Sequence, residues 1–240
     1  MKSNACNIGR TSIARLRRQG RWFATFVVFT ILLVAFSACN HASAPQDTAK
    51  SEKTADPVAT TATPVPKSID LEKPVIQIET SAGTITARLD GEHAPGTVRN
   101  FLNYATEGFY DNTLIHYVDS GKMIVAGGYS ADRKPKPGRI PIRNEAHNGL
   151  KNLRGTIAMA RDASLIDSAT TQFFINLADA PQRDHTGDTP ANYGYCVFGE
   201  VTEGLDVAEK ISQSPTTNAG GDLAQTPEPA VTIKSIRVVR

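Results

Sequence analysis

Apolar and polar residues alternate with period two in two short runs, Val75-Ile76-Gln77-Ile78-Glu79-Thr80 and Thr84-Ile85-Thr86-Ala87-Arg88-Leu89, with Ser81-Ala82-Gly83 between them. Alternation of this kind gives each run one buried face, and a short turn-forming segment joins the two as a β-hairpin. The period then changes. Ala94-Pro95 opens a helix, since proline is tolerated in a first turn, and Val98, Phe101, Leu102 and Ala105 continue a helical stripe as far as Gly108. Leu205, Val207, Ala208 and Ile211 predict a second helix. Short strands are predicted at Thr113–Tyr117, Met123–Val125, Thr156–Ala160, Gln172–Leu177 and Cys196–Val201, and Val231–Val239 closes the chain as a strand. Many short strands, two helices and connections rich in Gly, Pro, Asn and Asp predict a mainly β class: a closed antiparallel barrel capped by helices. There is no internal repeat.

The first third of the chain follows no such pattern. Met1 to Arg21 carries six basic residues (Lys2, Arg10, Arg15, Arg17, Arg18 and Arg21) and no acid. From Trp22 to Ala38 the sequence is uncharged and apolar for roughly 17 residues, near the lower limit for a spanning helix and long for a signal segment. With the basic flank on the cytoplasmic side, everything after it is expected outside the cytoplasm. Phe36-Ser37-Ala38-Cys39 resembles a bacterial lipobox, which would make Cys39 the lipidated residue, although Phe36 stands where Leu is usual. A retained anchor helix and a cleaved secretory signal are the alternatives. Residues 40–73 are rich in Ala, Thr, Pro and Ser and contain no aromatic residue, the composition of a flexible tether that cannot offset its own ordering entropy. The expected organisation is therefore a leader over 1–39, a tether over 40–73 and one folded domain over 74–240.

Charge refines the picture. The whole chain has 26 Lys+Arg and 24 Asp+Glu; removing the six leader cations leaves 20 basic against 24 acidic groups over residues 40–240. A mildly acidic body argues against nucleic acid as a partner, because affinity there comes chiefly from neutralised phosphates. One basic stretch, Arg133, Lys134, Lys136, Arg139 and Arg143, is interleaved with prolines and reads either as a contact for an acidic partner or as a solvated loop. Cys196 is the single cysteine outside the leader, so no internal disulfide supports the domain, and its place in an apolar strand makes it a buried thiol rather than a nucleophile. No HExxH, CxxC, GxSxG, Walker or dinucleotide signature is present. No cofactor or metal is expected.

Two blocks point to a family. Arg154-Gly155-Thr156-Ile157-Ala158-Met159-Ala160-Arg161 and Asp167-Ser168-Ala169-Thr170-Thr171-Gln172-Phe173-Phe174-Ile175-Asn176 closely resemble the RGTIAMAR and SQFFIN signatures of the cyclophilins, the proline cis–trans isomerases, and look most like the bacterial periplasmic branch. The resemblance runs over essentially all of 75–240. It implies an eight-stranded antiparallel barrel with two capping helices, and proline-containing unfolded or exposed polypeptide segments as partners.

An X–Pro bond turns against a barrier of about 18–20 kcal/mol set by amide resonance, so a rotamase needs no nucleophile and no metal. It needs an apolar seat for the proline ring and a donor aimed at the amide nitrogen as it pyramidalises. In the family an Arg is that donor. Position by position, the resemblance places Tyr117 at that Arg, Lys122 at an apolar Phe, Met123 at the matching Met and Val125 at the Gln that holds the substrate backbone. Gln172 and Phe174 fit the pattern; Gln182 and Arg183 replace the aromatic and the Leu that wall the pocket; Tyr195 stands where the periplasmic relatives also carry Tyr. Tyr117 is either a substitute donor or a residue that fills the cleft. His116 follows the family's structural His. The expected activity is proline isomerisation of extracytoplasmic proteins at a lowered or altered rate; the alternative is a tethered proline-peptide-binding or chaperone module without catalysis.

Overall fold

A computed structural model of the chain describes residues 72–240. The leader, Cys39 and nearly all of the expected tether lie outside the described residues. No helix among those described is long and apolar enough to cross a membrane.

Among the described residues, ten strands and two α-helices follow in chain order. They are β1 (Val75–Thr80), β2 (Gly83–Leu89), α1 (Pro95–Thr106), β3 (Thr113–Asp119), β4 (Met123–Ser130), β5 (Thr156–Met159), β6 (Phe173–Asn176), β7 (Val197–Glu203), α2 (Leu205–Ser212), β8 (Thr216–Thr217), β9 (Thr226–Pro227) and β10 (Thr232–Val238). Eight of the strands close into an antiparallel barrel in the order β1-β10-β3-β4-β6-β5-β7-β2, as expected; β8 and β9 form a separate two-residue ladder that the pattern did not predict.

The β1–β2 hairpin shows how the sequence produces its turn. Thr80 Oγ1 donates to the Gly83 carbonyl at 2.6 Å and accepts from the Ala82 amide at 3.1 Å. Gly83 has φ +143°, and a Cβ there would lie 3.0 Å from the Val207 methyls, so glycine lets α2 pack directly on the turn. Inward-facing Ile76, Ile78, Ile85, Leu89, Ile124, Ile157 and Ile175 fill the barrel and are almost fully buried. At one end, α1 presents Phe101 to Tyr110, Phe173 and Phe198, with ring centroids 5.1, 5.3 and 5.2 Å away.

The start of α1 has no cap of its own. Ala94 offers no side-chain acceptor, and the Glu145 carboxylate supplies one instead, accepting from the amides of Gly96 (3.1 Å) and Thr97 (2.8 Å) and from Thr97 Oγ1 (2.7 Å). A carboxylate there also complements the helix dipole. Cys196 lies below this cap, buried, with burial pushing its thiol up to about 12, which fits an inert residue. The basic stretch is largely neutralised: Arg133 pairs with Glu228 (3.4 Å), Lys134 with Asp132 (2.6 Å) and Arg139 with Glu107, while Lys136 donates to the Phe109 carbonyl. That arrangement is a solvated loop tied to the barrel.

Candidate active site

The strand register assembles the site. Tyr117 on β3 lies opposite Val125 on β4, Val125 opposite Phe174 on β6, Phe174 opposite Ala158 on β5, and Ala158 opposite Val197 on β7. Directly opposed residues share a face, so these five form one row across the outside of the barrel. With Met123, Leu150, Ala160 and Tyr195 they make a second apolar cluster, separate from the core inside. Tyr195 meets Phe174 edge-on at 5.7 Å.

Beside the row opens a cleft of about 510 Å³, lined by His116, Tyr117, Val125, Ala160, Arg161, Asp162, Ser168, Thr170, Gln172, Gly221 and Asp222. A comparable hollow of about 400 Å³ borders the other end of the row at Val197 and Leu150, near Lys73 and Arg88, and contains none of the predicted site residues. Gln172 packs against Gly128, where even a Cβ would lie 2.6 Å from its amide carbon. His116 is 2% exposed, its Nδ1 has no hydrogen-bond partner, and burial pushes its ring down to about 4, so it is neutral at pH 7. The 218–226 loop forms one lip: Asp222 accepts from the Tyr129 hydroxyl at 3.0 Å, and Thr226 Oγ1 donates to the His116 carbonyl at 2.8 Å.

The rim residues divide. Lys122 is two-thirds exposed and reaches Asp119 at 3.2 Å, and Gln182 is exposed. Arg183 turns inward: its guanidinium carbon sits 5.4 Å from the Phe174 ring centre, and Nη1 donates to Asn176 Oδ1 at 3.2 Å. Its backbone is fixed on both sides, because the Arg183 carbonyl accepts from the Tyr195 amide at 2.9 Å and from Asn152 Nδ2 at 3.0 Å. Gly194 permits this approach; at φ +79° it passes so close that a Cβ would lie 2.6 Å from Asp184 and His185 backbone atoms.

Sequence reasoning missed Arg161, although it ends the RGTIAMAR block. Its guanidinium donates to the carbonyls of Gly194 (2.8 Å), Pro190 (2.6 Å) and Asp162 (2.8 Å), and lies 5.0 Å over the Tyr195 ring. It therefore holds the Tyr195 wall through two loops. Asn152 was missed too; its Nδ2 lies within hydrogen-bond distance of the Arg183 and Tyr195 carbonyls and an Asp184 carboxylate oxygen.

An outer apolar row beside an open cleft, on a closed eight-stranded antiparallel barrel with two helices, defines a binding barrel of the rotamase type. The comparisons agree. The family model "Cyclophilin type peptidyl-prolyl cis-trans isomerase/CLD" matches residues 75–238. Peptidyl-prolyl cis-trans isomerase A of Dickeya dadantii is 46% identical over 165 residues, covering 69% of this chain and 84% of that protein. Peptidyl-prolyl cis-trans isomerase B of Escherichia coli is 44% identical over 164 residues, covering 68% of this chain and 99% of that one. The crystal structure of a cyclophilin-type peptidyl-prolyl cis-trans isomerase of Cryptosporidium parvum shares the fold, with a TM-score of 0.60 at 24% identity over 70% of this chain and 98% of the other. The chain belongs to the cyclophilin-type peptidyl-prolyl cis-trans isomerases.

Proposed function

We propose that this isomerase acts on X–Pro bonds of extracytoplasmic polypeptides at the Tyr117–Val125–Phe174 row, and that its rate is lowered because the donor at the row's end is a neutral phenol. The observation that supports this most directly is the register itself: Tyr117 stands next to Val125, which in turn stands next to Phe174, at the position where the resemblance places a guanidinium. Phe174, Met123 and Tyr195 supply an apolar seat for a proline ring. Val125, with no amide, leaves the substrate backbone to Gln172 alone.

The chemistry sets the size of the effect. Catalysis here means holding the twisted imide better than the planar one, so a donor matters only as far as it follows the developing lone pair on nitrogen. Loss of one preorganised donor typically lowers a rate by about 10²–10³. A tyrosine hydroxyl recovers part of that, since hydrogen bonds with a charged partner are roughly twice as strong as neutral ones.

The test is a proline-peptide isomerisation assay on the full-length chain, wild type beside Tyr117→Arg and Tyr117→Phe. Arg is expected to raise kcat/KM by about tenfold or more, and Phe to lower it. Equal rates for all three would remove the donor argument. One observation favours a second reading, in which the domain binds proline segments without turning them over: the neutral phenol of Tyr117 stands opposite Val125, where the resemblance places the guanidinium donor. Peptide binding with background rates in every variant would select that reading.

The basic leader, the apolar run over 22–38 and Cys39 support an extracytoplasmic domain held to a membrane by a lipid or an anchor helix. Fractionation of cells expressing wild type and Cys39→Ala tests this. A lipid-anchored protein loses its lipid mass in the variant, a retained helix leaves both forms in the membrane, and a cleaved secretory signal releases both.

A further inference from the structure

We infer that Arg183 is a specificity-determining residue that directs the site towards prolines flanked by a carboxylate, an inference resting on the proposal that Phe174 is the proline seat. Phe174 is almost completely covered, and the open cleft beside it runs along Val125, Ala160 and Gln172. What lies over the Phe174 ring is a guanidinium, 5.4 Å from its centre. A proline ring seated on Phe174 displaces that guanidinium or lies against it.

Among the described residues, the charge of Arg183 has no charged partner. Its hydrogen bond goes to a neutral amide oxygen, Asn176 Oδ1 at 3.2 Å, and none of the ion pairs among the described residues includes it. The neighbouring carboxylates are committed elsewhere: Asp184 Oδ1 accepts from the Asn152 amide while Oδ2 faces Lys151 at 3.8 Å, and Asp179 accepts from the Arg154 amide. The other cations at the rim are occupied too. Arg161 donates to backbone carbonyls, and Lys122 pairs with Asp119. Arg183 is thus a half-buried cation with no anion, beside the seat for the substrate.

A substrate carboxylate next to the proline would give that fork its planar, two-pronged partner and compensate it for the aromatic face that the proline ring takes over. A peptide with a neutral neighbour displaces the guanidinium and offers nothing in return. One with a lysine neighbour adds repulsion. Along the cleft where Tyr117 and Gln172 stand, Asp162 and Asp222 outnumber Arg161 two to one, so the two ends of the site differ in net sign. A bound peptide is therefore oriented as well as selected.

The experiment uses full-length wild type, Arg183→Leu and Arg183→Gln. Gln keeps a donor for Asn176 and removes the charge, which separates electrostatics from packing. Two peptide series carry Glu, Ala or Lys immediately before or immediately after the proline; kcat/KM is read at low and high salt, and Kd by calorimetry. In wild type, Glu is expected to exceed Lys about ten- to hundredfold in one of the series, the range for a hydrogen-bonded charge pair, and to lose part of that lead in high salt. Both variants should bring the ratio to within about twofold. A wild-type ratio near one in both series, or a ratio unchanged by both variants, overturns the role of Arg183 and leaves the proline seat standing. Failure of every peptide to bind or turn over in all three proteins overturns both.

Discussion

Replacing Arg161 with Lys should loosen the Tyr195 wall of the site without touching the row itself. The guanidinium joins two loops: Nε donates to Gly194 at 2.8 Å and Nη2 to Pro190 at 2.6 Å on one side, while Nη1 reaches Asp162 at 2.8 Å on the other. Lysine has the charge but not the planar fork, and its single nitrogen cannot serve both loops. The Gly194 bond is partly buried, and a bond from a charged donor in such a place contributes about 1.5–3 kcal/mol. The Pro190 and Asp162 bonds are exposed and water replaces most of their value. Removing the stacked plane over Tyr195, 5.0 Å away, adds about 0.5–1 kcal/mol. The sum is about 2–4 kcal/mol, or roughly 4–16 °C in Tm for a domain of this size. Thermal melts and amide hydrogen exchange test it together. Exchange should accelerate over 190–195 more than in β4 or β6, and KM for a proline peptide should rise with kcat little changed. A variant within about 0.5 kcal/mol of wild type, with unaltered exchange at Gly194 and Tyr195, would refute the bridging role.

Two further outcomes follow from the same kind of bonding. Glu145→Ala removes the acceptor for the Gly96 and Thr97 amides and the buried Thr97 hydroxyl, and should cost about 2–4 kcal/mol by urea denaturation, with Glu145→Gln losing less; an unchanged midpoint would show that water caps α1 equally well. His116, neutral in the fold with its ring pushed from 6.5 down to about 4, takes up a proton more readily when unfolded, so its contribution to stability falls as pH drops through that window. The loss is about 2 kcal/mol by pH 5, and the stability gap between wild type and His116→Asn should narrow by that amount between pH 7 and pH 5; a gap constant with pH would contradict the assignment.

Much of the architecture is readable from periodicity because its elements are long enough to repeat. The β1–β2 hairpin and both helices show their periods over six residues or more, and the predicted strand ends lie no more than five residues from the observed ones. The β8–β9 ladder, two residues a side, is too short to have a period. The row residues Tyr117, Val125 and Phe174 were accessible through the family blocks that carry them and not through period, since TLIHYVD and FFIN show no clean alternation. Side-chain direction at the rim was not accessible. Gln182 and Arg183 sit on a single 3₁₀ turn, Pro181–Arg183, where no repeat says which side chain turns inward. Contacts such as Glu145 to Thr97, 48 residues apart, and Arg161 to Gly194, 33 apart, depend on how separate loops meet, and local pattern carries no record of that.

The barrel's seam has a consequence for how the domain can be joined to anything else. Its first and last strands pair with each other, Ile76 opposite Val238, and in the ring of eight the strand bearing Phe174 is four places from β1 in either direction. The incoming chain therefore enters on the strand farthest from Phe174, and the outgoing chain leaves on β10, one place nearer and paired with β3. A surface linkage made where β1 begins starts from the strand farthest from Phe174.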